Sequence, residues 1–245
     1  MANISTSTTS RLRAVVIGRG TAWLTGGFGY FMQDALAWVG VTILLFVIPL
    51  ALSFIPFLGN VAAQILMPVF IAGLMLGCRA REQGGEFNVA HLFAGFSQQT
   101  SQLIILGLLY IAAVIVLVIL IVILTIIGMG TGFLESLSGG DVAVLRDNFR
   151  FVSLVLLITL GLYVPVLMAF WFAPALVILR NAGAVDAIKL SFEGCLLNIV
   201  PFLLYGFIGL VLSIIALIPM GLGLLVLVPV IMASVYVAYR DIYPE

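Results

Sequence analysis

Residues 103–127 read LIILGLLYIAAVIVLVILIVILTII, twenty-five positions without a charge, an amide or a proline. At 1.5 Å per residue such a run is about 37 Å long as a helix, more than the roughly 30 Å of hydrocarbon in a bilayer. The run is continuously apolar and lacks the inside/outside alternation of a barrel strand, so a transmembrane helix is the reading. Outward from it, five further stretches qualify or come close: 35–57, 61–78, 151–179, 199–219 and 224–239. The second and sixth spans in chain order are short and the fourth is long. Gly59-Asn60 and the Gly221/Gly223 pair each follow an Ile-Pro (Ile55-Pro56, Ile218-Pro219) and predict tight turns between spans.

The whole chain agrees. Of 245 residues, 64% are hydrophobic and 8% charged, with ten Lys/Arg against ten Asp/Glu and a mean hydropathy of +1.32. Soluble domains are about 25% charged, so a water-soluble enzyme is excluded. Disorder needs low hydrophobicity and high net charge, and nucleic-acid binding needs a basic tract; neither is present. Residues 1–10 are polar and predict a disordered tail ahead of one transmembrane domain over 11–245. The apolar stretch after Arg11 and Arg13 is too short for a signal peptide. Cys78 and Cys195 make no disulfide framework and read as two small buried hydrophobes near reducing, cytosolic ends.

Orientation follows from the cations. With the N-terminus inside, the cytosolic segments hold Arg11, Arg13, Arg19, Arg79, Arg81, Arg180, Lys189 and Arg240, and the outer ones only Arg146 and Arg150. That bias places both termini in the cytosol.

A short pattern recurs in the returning helices: PVFIA from Pro68, PVLMA from Pro165 and PVIMA from Pro229. Arg79 and Arg240 lie 11 residues after their prolines and Arg180 lies 15 after, about one turn further. Ahead of each hairpin, Leu24/Phe28/Phe31/Ala35, Val89/Phe93/Phe96/Thr100 and Ile188/Phe192/Cys195/Ile199 each follow a 0, 4, 7, 11 spacing that forms one helical face. Asp186, Lys189 and Glu193 share a wet face at 0, 3, 7, which allows Asp–Lys and Lys–Glu pairs. The chain therefore reads as an all-α, six-span bundle of three hairpin repeats, approximately 11–80, 81–180 and 181–245. Each hairpin is preceded by a cytosolic-side amphipathic helix.

Individual motifs are weighed against plainer roles. Pro68, Pro165 and Pro229 each remove a backbone hydrogen bond inside a span; a hinge and a fixed kink both fit, and the fixed kink is preferred. Pro165 and Pro174 in one span predict a visible bend. Gly73 and Gly77 form a GxxxG, read as packing within the chain ahead of dimerisation. Gly128, Gly130 and Gly132 end a span and lack the strand–loop–helix context of a phosphate loop. His91 has no Cys or carboxylate at ligand spacing, so no metal site is expected and an interfacial polar contact is. Trp171, with Trp23, Trp38, Tyr239 and Tyr243, fits an aromatic belt. No ionisable residue falls within the six cores, which disfavours proton-coupled transport and acid/base catalysis. Gln64, in the second span, is the costliest polar group there and is expected to find a partner across helices.

The motifs His91-Leu-Phe-Ala-Gly-Phe96, Trp171-Phe-Ala-Pro-Ala-Leu-Val177, Pro201-Phe-Leu-Leu-Tyr-Gly206 and Tyr239-Arg-Asp-Ile-Tyr243 resemble a family of proteobacterial six-span inner-membrane proteins with no assigned activity. More distantly, an Ala-x-x-x-Ser helix (Ala187 to Ser191) after a returning span resembles the membrane domain attached to some glycerophosphodiester phosphodiesterases. The resemblance implies an α-helical bundle in the bacterial inner membrane and brings no catalytic residue. The resulting expectation is a non-catalytic protein that organises lipid or a protein partner. The alternative is a permease for a neutral or amphipathic small molecule or lipid. Membrane lipids are the expected partners, followed by a membrane protein or further copies of the chain, with no nucleic acid and no cofactor.

Overall fold

A computed structural model describes residues 12–140 and 143–244; the tail expected over 1–10 lies outside the described residues. Among the described residues every regular element is helical. In chain order they are α1 (Arg19–Gln33), α2 (Ala35–Ser53), α3 (Leu58–Glu82), a 3₁₀ segment (Val89–Phe96), α4 (Thr100–Met129), α5 (Thr131–Ser138), α6 (Ala143–Asp147), α7 (Phe149–Trp171), α8 (Ala173–Arg180), α9 (Ala184–Leu197), α10 (Ile199–Leu217) and α11 (Leu224–Ile242). Six helices are long and apolar enough to cross a bilayer: α2, α3, α4, α7 continued by α8, α10 and α11. The protein is an all-α membrane bundle.

Span boundaries differ from the sequence reading mainly at helix ends, where a helix carries on into polar residues because its backbone bonds are internal. The second span runs to Glu82 rather than stopping at residue 78. The turn expected at Gly59-Asn60 lies earlier, at 54–57, where Phe57 takes φ 61°. Gly59 is instead in the first turn of α3, where a Cβ would stand 1.7 Å from the Leu52 carbonyl oxygen. Its smallness serves a close approach. The second turn falls where expected, with Gly221 at φ 83°.

The buried core gathers at the end bearing Arg79, Arg81, Arg180 and Arg240, here the basic end. It takes in Trp23 and Phe31 of α1, residues 69–78 of α3, 172–178 of α8, Ala187 and Cys195 of α9, and the second half of α11. Beyond that end the spans separate: α7 has no buried residue, and α4 past Gly107 has only Thr125.

The amphipathic faces need correction. In α1 the buried stripe is Gly20, Trp23, Leu24, Gly27 and Phe31, and Phe28 is 48% exposed. In α9 it is Ala184, Ala187, Ser191, Gly194 and Cys195, with Ile199 exposed beyond its end. The second element is a 3₁₀ segment with a period of three, so Leu92 and Gly95 face inward while Phe93 and Phe96 remain exposed. It runs antiparallel along the basic-end half of α3: Cβ atoms at Gly77, Gly73 and Gly95 would meet Phe87, the His91 carbonyl and the Val69 carbonyl in turn. The reason is common to all three. In hydrocarbon a large apolar side chain gains nothing by turning inward, whereas small residues let backbones approach.

The fourth span bends as expected, and the bend has a named cause. Phe172 separates α7 from α8, and its N–H donates to Ser191 Oγ of α9 (2.9 Å) while that hydroxyl donates to the Met168 carbonyl (2.7 Å). A buried serine from a neighbouring helix has thus entered the i→i−4 ladder, a recognised origin of kinks.

Candidate functional site

Helix α1 does not pack mainly on the hairpin it precedes. It lies across α10 and α11, the last pair in the chain, where Gly20 meets the Pro201 carbonyl and Gly27 meets Val230 and Ser234. Both ends of α1 are tied. Arg19 donates to Asp241 through Nε (2.7 Å) and Nη2 (2.5 Å), and Trp23 Nε1 donates to the same carboxylate at 2.7 Å. At the other end Arg81 lies 3.2 Å from Asp34 and donates to Gln33 Oε1 at 2.8 Å. Upstream, Asn198 accepts from the Val15 N–H (2.8 Å) and donates to the Arg13 carbonyl (3.1 Å), while the Arg13 N–H donates to the Ile242 carbonyl.

Around this lock stand further ties. Arg240 pairs with Glu82 at 3.3 Å, Tyr236 donates to Glu82, and Arg180 donates to the Tyr243 and Pro244 carbonyls at 2.8 and 2.7 Å. Burial, then the nearby Glu82 carboxylate, pushes the Tyr30 phenol up to about 12. Burial alone lifts the Cys195 thiol to about 12, so it stays protonated and unreactive at neutral pH.

Held this way, α1 walls one side of a 600 Å³ cavity between α1 (Leu24, Phe28), α10 (Leu212, Ile215) and α11 (Leu227, Val230). Its only hydroxyls, Thr21 and Thr25, donate to carbonyls of their own helix turn, Gly18 and Ala22. No charged side chain lines it. The groove can hold a hydrocarbon chain by shape and offers no group for chemistry. A second apolar recess of 340 Å³ lies between α7 and α10, with Trp171 at its wall beside Phe202 and Tyr205.

The residues singled out from sequence do not converge on one place. Pro68 and Pro229 are buried within α3 and α11, and Pro165 lies within α7. Gly73 and Gly77 face the 3₁₀ segment of the same chain. His91 Nδ1 accepts from the Asn88 N–H at 3.1 Å and its ring stacks on Phe87, so it caps that segment. Asp186, Lys189 and Glu193 are exposed on α9, and among the described residues no ion pair joins them, against the pairing the spacing allowed. Gln64 is exposed and, among the described residues, has no hydrogen-bond partner, which overturns the expected cross-helix bond. Sequence reading missed Asp241, 222 residues from Arg19, for which no local signal exists. It also passed over Tyr110 and Tyr163, whose signal was two hydroxyls deep in neighbouring spans.

A probable inner membrane protein of Burkholderia thailandensis is 28% identical over 224 residues, covering 89% of this chain and 80% of that protein. No family model matches the chain, and no solved structure matches it. The relative's name and the six apolar helices agree that this is an integral membrane protein; neither assigns a molecular activity.

Proposed function

We propose that the protein is a non-catalytic, lipid-organising component of the bacterial inner membrane, with both termini cytosolic, that seats an acyl chain in the groove walled by α1, α10 and α11. The observation that carries this reading is the groove: 600 Å³, lined by apolar side chains, with its two threonine hydroxyls already satisfied by their own helix. Its volume falls within the roughly 300–1,000 Å³ usual for small-molecule sites. In a bilayer such a space is filled by hydrocarbon. Because lipid tails are as apolar as the groove walls, retention depends on fit rather than on a hydrophobic gain. The positive-inside bias supports the orientation.

The test is retention. Protein extracted with its native lipid in polymer discs is moved stepwise into detergent, and bound phospholipid is counted by native mass spectrometry beside Thr25→Trp, which fills the groove from α1. The wild type keeps lipid that the variant loses. Equal retention defeats the reading. Fast exchange of fluorescent phospholipid between leaflets of reconstituted vesicles would replace it with the permease reading.

A further inference from the structure

Hydroxyl groups inside the spans mostly answer to their own helix. Thr42 donates to the Trp38 carbonyl, Ser53 to Leu50, Thr125 to Ile121, Thr159 to Val155 and Ser213 to Gly209. Gln64 has no such recourse. Its carboxamide carries two donors and an acceptor, is exposed, and has no partner among the described residues. Its main chain is open too, because Pro68, four residues on, has no N–H to give to the Gln64 carbonyl. Gln64 is the seventh residue of α3, about 9 Å from the helix start, inside a span long and apolar enough to cross a bilayer.

Facing it on α4 is Tyr110, whose hydroxyl lies 3.1 Å from that of Tyr163 on α7. A hydroxyl pair uses one proton between its members, so one O–H remains to donate. Gln64 and Tyr110 are shared by two adjoining cavities of 350 and 210 Å³. Asn60, one turn from Gln64, adds a second carboxamide at the mouth of the larger. The walls are otherwise apolar, with Val61, Ile111 and Val114 in the larger and Met67, Ile71 and Phe170 in the smaller, and among the described residues no charged side chain lines either.

We propose that this cleft binds a neutral amphiphile, its carbonyl or hydroxyl head held by Gln64 and Tyr110 and its apolar body lying against α3 and α4. A charged headgroup would find no countercharge among the described lining residues. An uncharged glycerolipid and a prenylated quinone share the required chemistry. The site shares no lining residue with the groove assigned above and does not depend on it.

The test uses full-length protein in lipid nanodiscs with three diazirine probes: a diacylglycerol, a decyl-benzoquinone and a phosphatidylethanolamine. Labelled peptides are mapped by mass spectrometry. Labelling by a neutral probe concentrates on residues 57–71 and 106–115 and falls about tenfold in Gln64→Leu, which corresponds to about 1.4 kcal/mol; Tyr110→Phe gives a smaller drop. Competition between the two neutral compounds identifies the source. The proposal fails if neither variant changes labelling, or if the phosphatidylethanolamine probe labels the same peptides equally. It also fails if Gln64→Leu instead abolishes a cross-linked dimer, since a second copy then covers the amide. Should Gln64→Leu not fold, Tyr110→Phe alone decides.

Discussion

Helices α4 and α11 are both spans, and their composition runs opposite to their burial. The most apolar span in the molecule, α4, has almost no buried residue, whereas α11, the least apolar, is more than half buried. In water that order would be reversed. In hydrocarbon an uninterrupted run of Leu, Ile and Val needs no neighbour, and the helices that touch are those carrying Gly, Ala, Ser and Tyr at the contact. The same contrast divides the molecule along its length: a basic end with interlocked small and aromatic residues, and an opposite half whose spans face lipid.

The sharpest way to break this comparison is a matched pair of glycines. Gly27→Leu places a side chain where a Cβ alone would be 2.4 Å from the Val230 carbonyl, whereas Gly209 has open space around it. Gly27→Leu is expected to lower unfolding stability in an SDS titration by about 3 kcal/mol, and Gly209→Leu to stay within about 0.5 kcal/mol. Equal losses would mean that a packed face and an open one tolerate an added side chain alike. Next in size, Asp241→Asn removes the charge and one of the two acceptor oxygens that serve Arg19 and Trp23. With Arg19 two-fifths exposed and screened by water, the loss is about 1 kcal/mol, while Arg146→Gln in the opposite half leaves the midpoint unchanged.

Smaller effects sharpen the contrast. Ser191→Ala removes the hydroxyl seated between Phe172 and Met168 and is expected to cost up to about 1 kcal/mol, less if the helix recloses its own bond. Spin labels on α7 and α9 would report that closure as a straighter span. Thr159→Ala, whose hydroxyl serves only its own helix, changes neither readout. The least effect is chemical. Because burial favours the neutral Cys195 thiol, the folded state loses this contribution as pH climbs from the thiol's ordinary 9.0 toward about 12. At pH 8 maleimide therefore labels Cys195 only after SDS is added; rapid labelling of folded protein would place that face in water.

The spans were legible because hydrocarbon thickness sets a length that local composition reports directly. The bend in the fourth span was expected from Pro165 and Pro174 falling within one run, but its cause at Phe172, the hydroxyl of Ser191 from α9, was not legible. Nor were the inward faces. A 0, 4, 7, 11 stripe of large apolar residues marks the side a helix turns from water; in α1 its Leu24 and Phe31 are buried while Phe28 is not, and in α9 only its Cys195 is. The 3₁₀ form of Val89–Phe96 follows from its fit against Gly73 and Gly77 of α3, a tertiary demand absent from its own sequence. Cleft and groove were illegible for a related reason: each is space between helices distant in sequence. Gln64 was visible as costly, but its lack of a partner was not.

The strapping of residues 13–30 to the final hairpin has a consequence for biosynthesis. A segment made early cannot reach its native resting place until one more than 200 residues later, ending at Asp241 and Ile242, has been made and threaded. While the intervening residues are synthesised α1 must wait, held by bilayer surface or insertase. A stop codon just before α11 would leave a nascent product in which residues 13–30 keep Asn198 and α10 but lose Asp241, Val230 and Ser234, and proteolysis is then expected at α1 rather than only at the truncated finish.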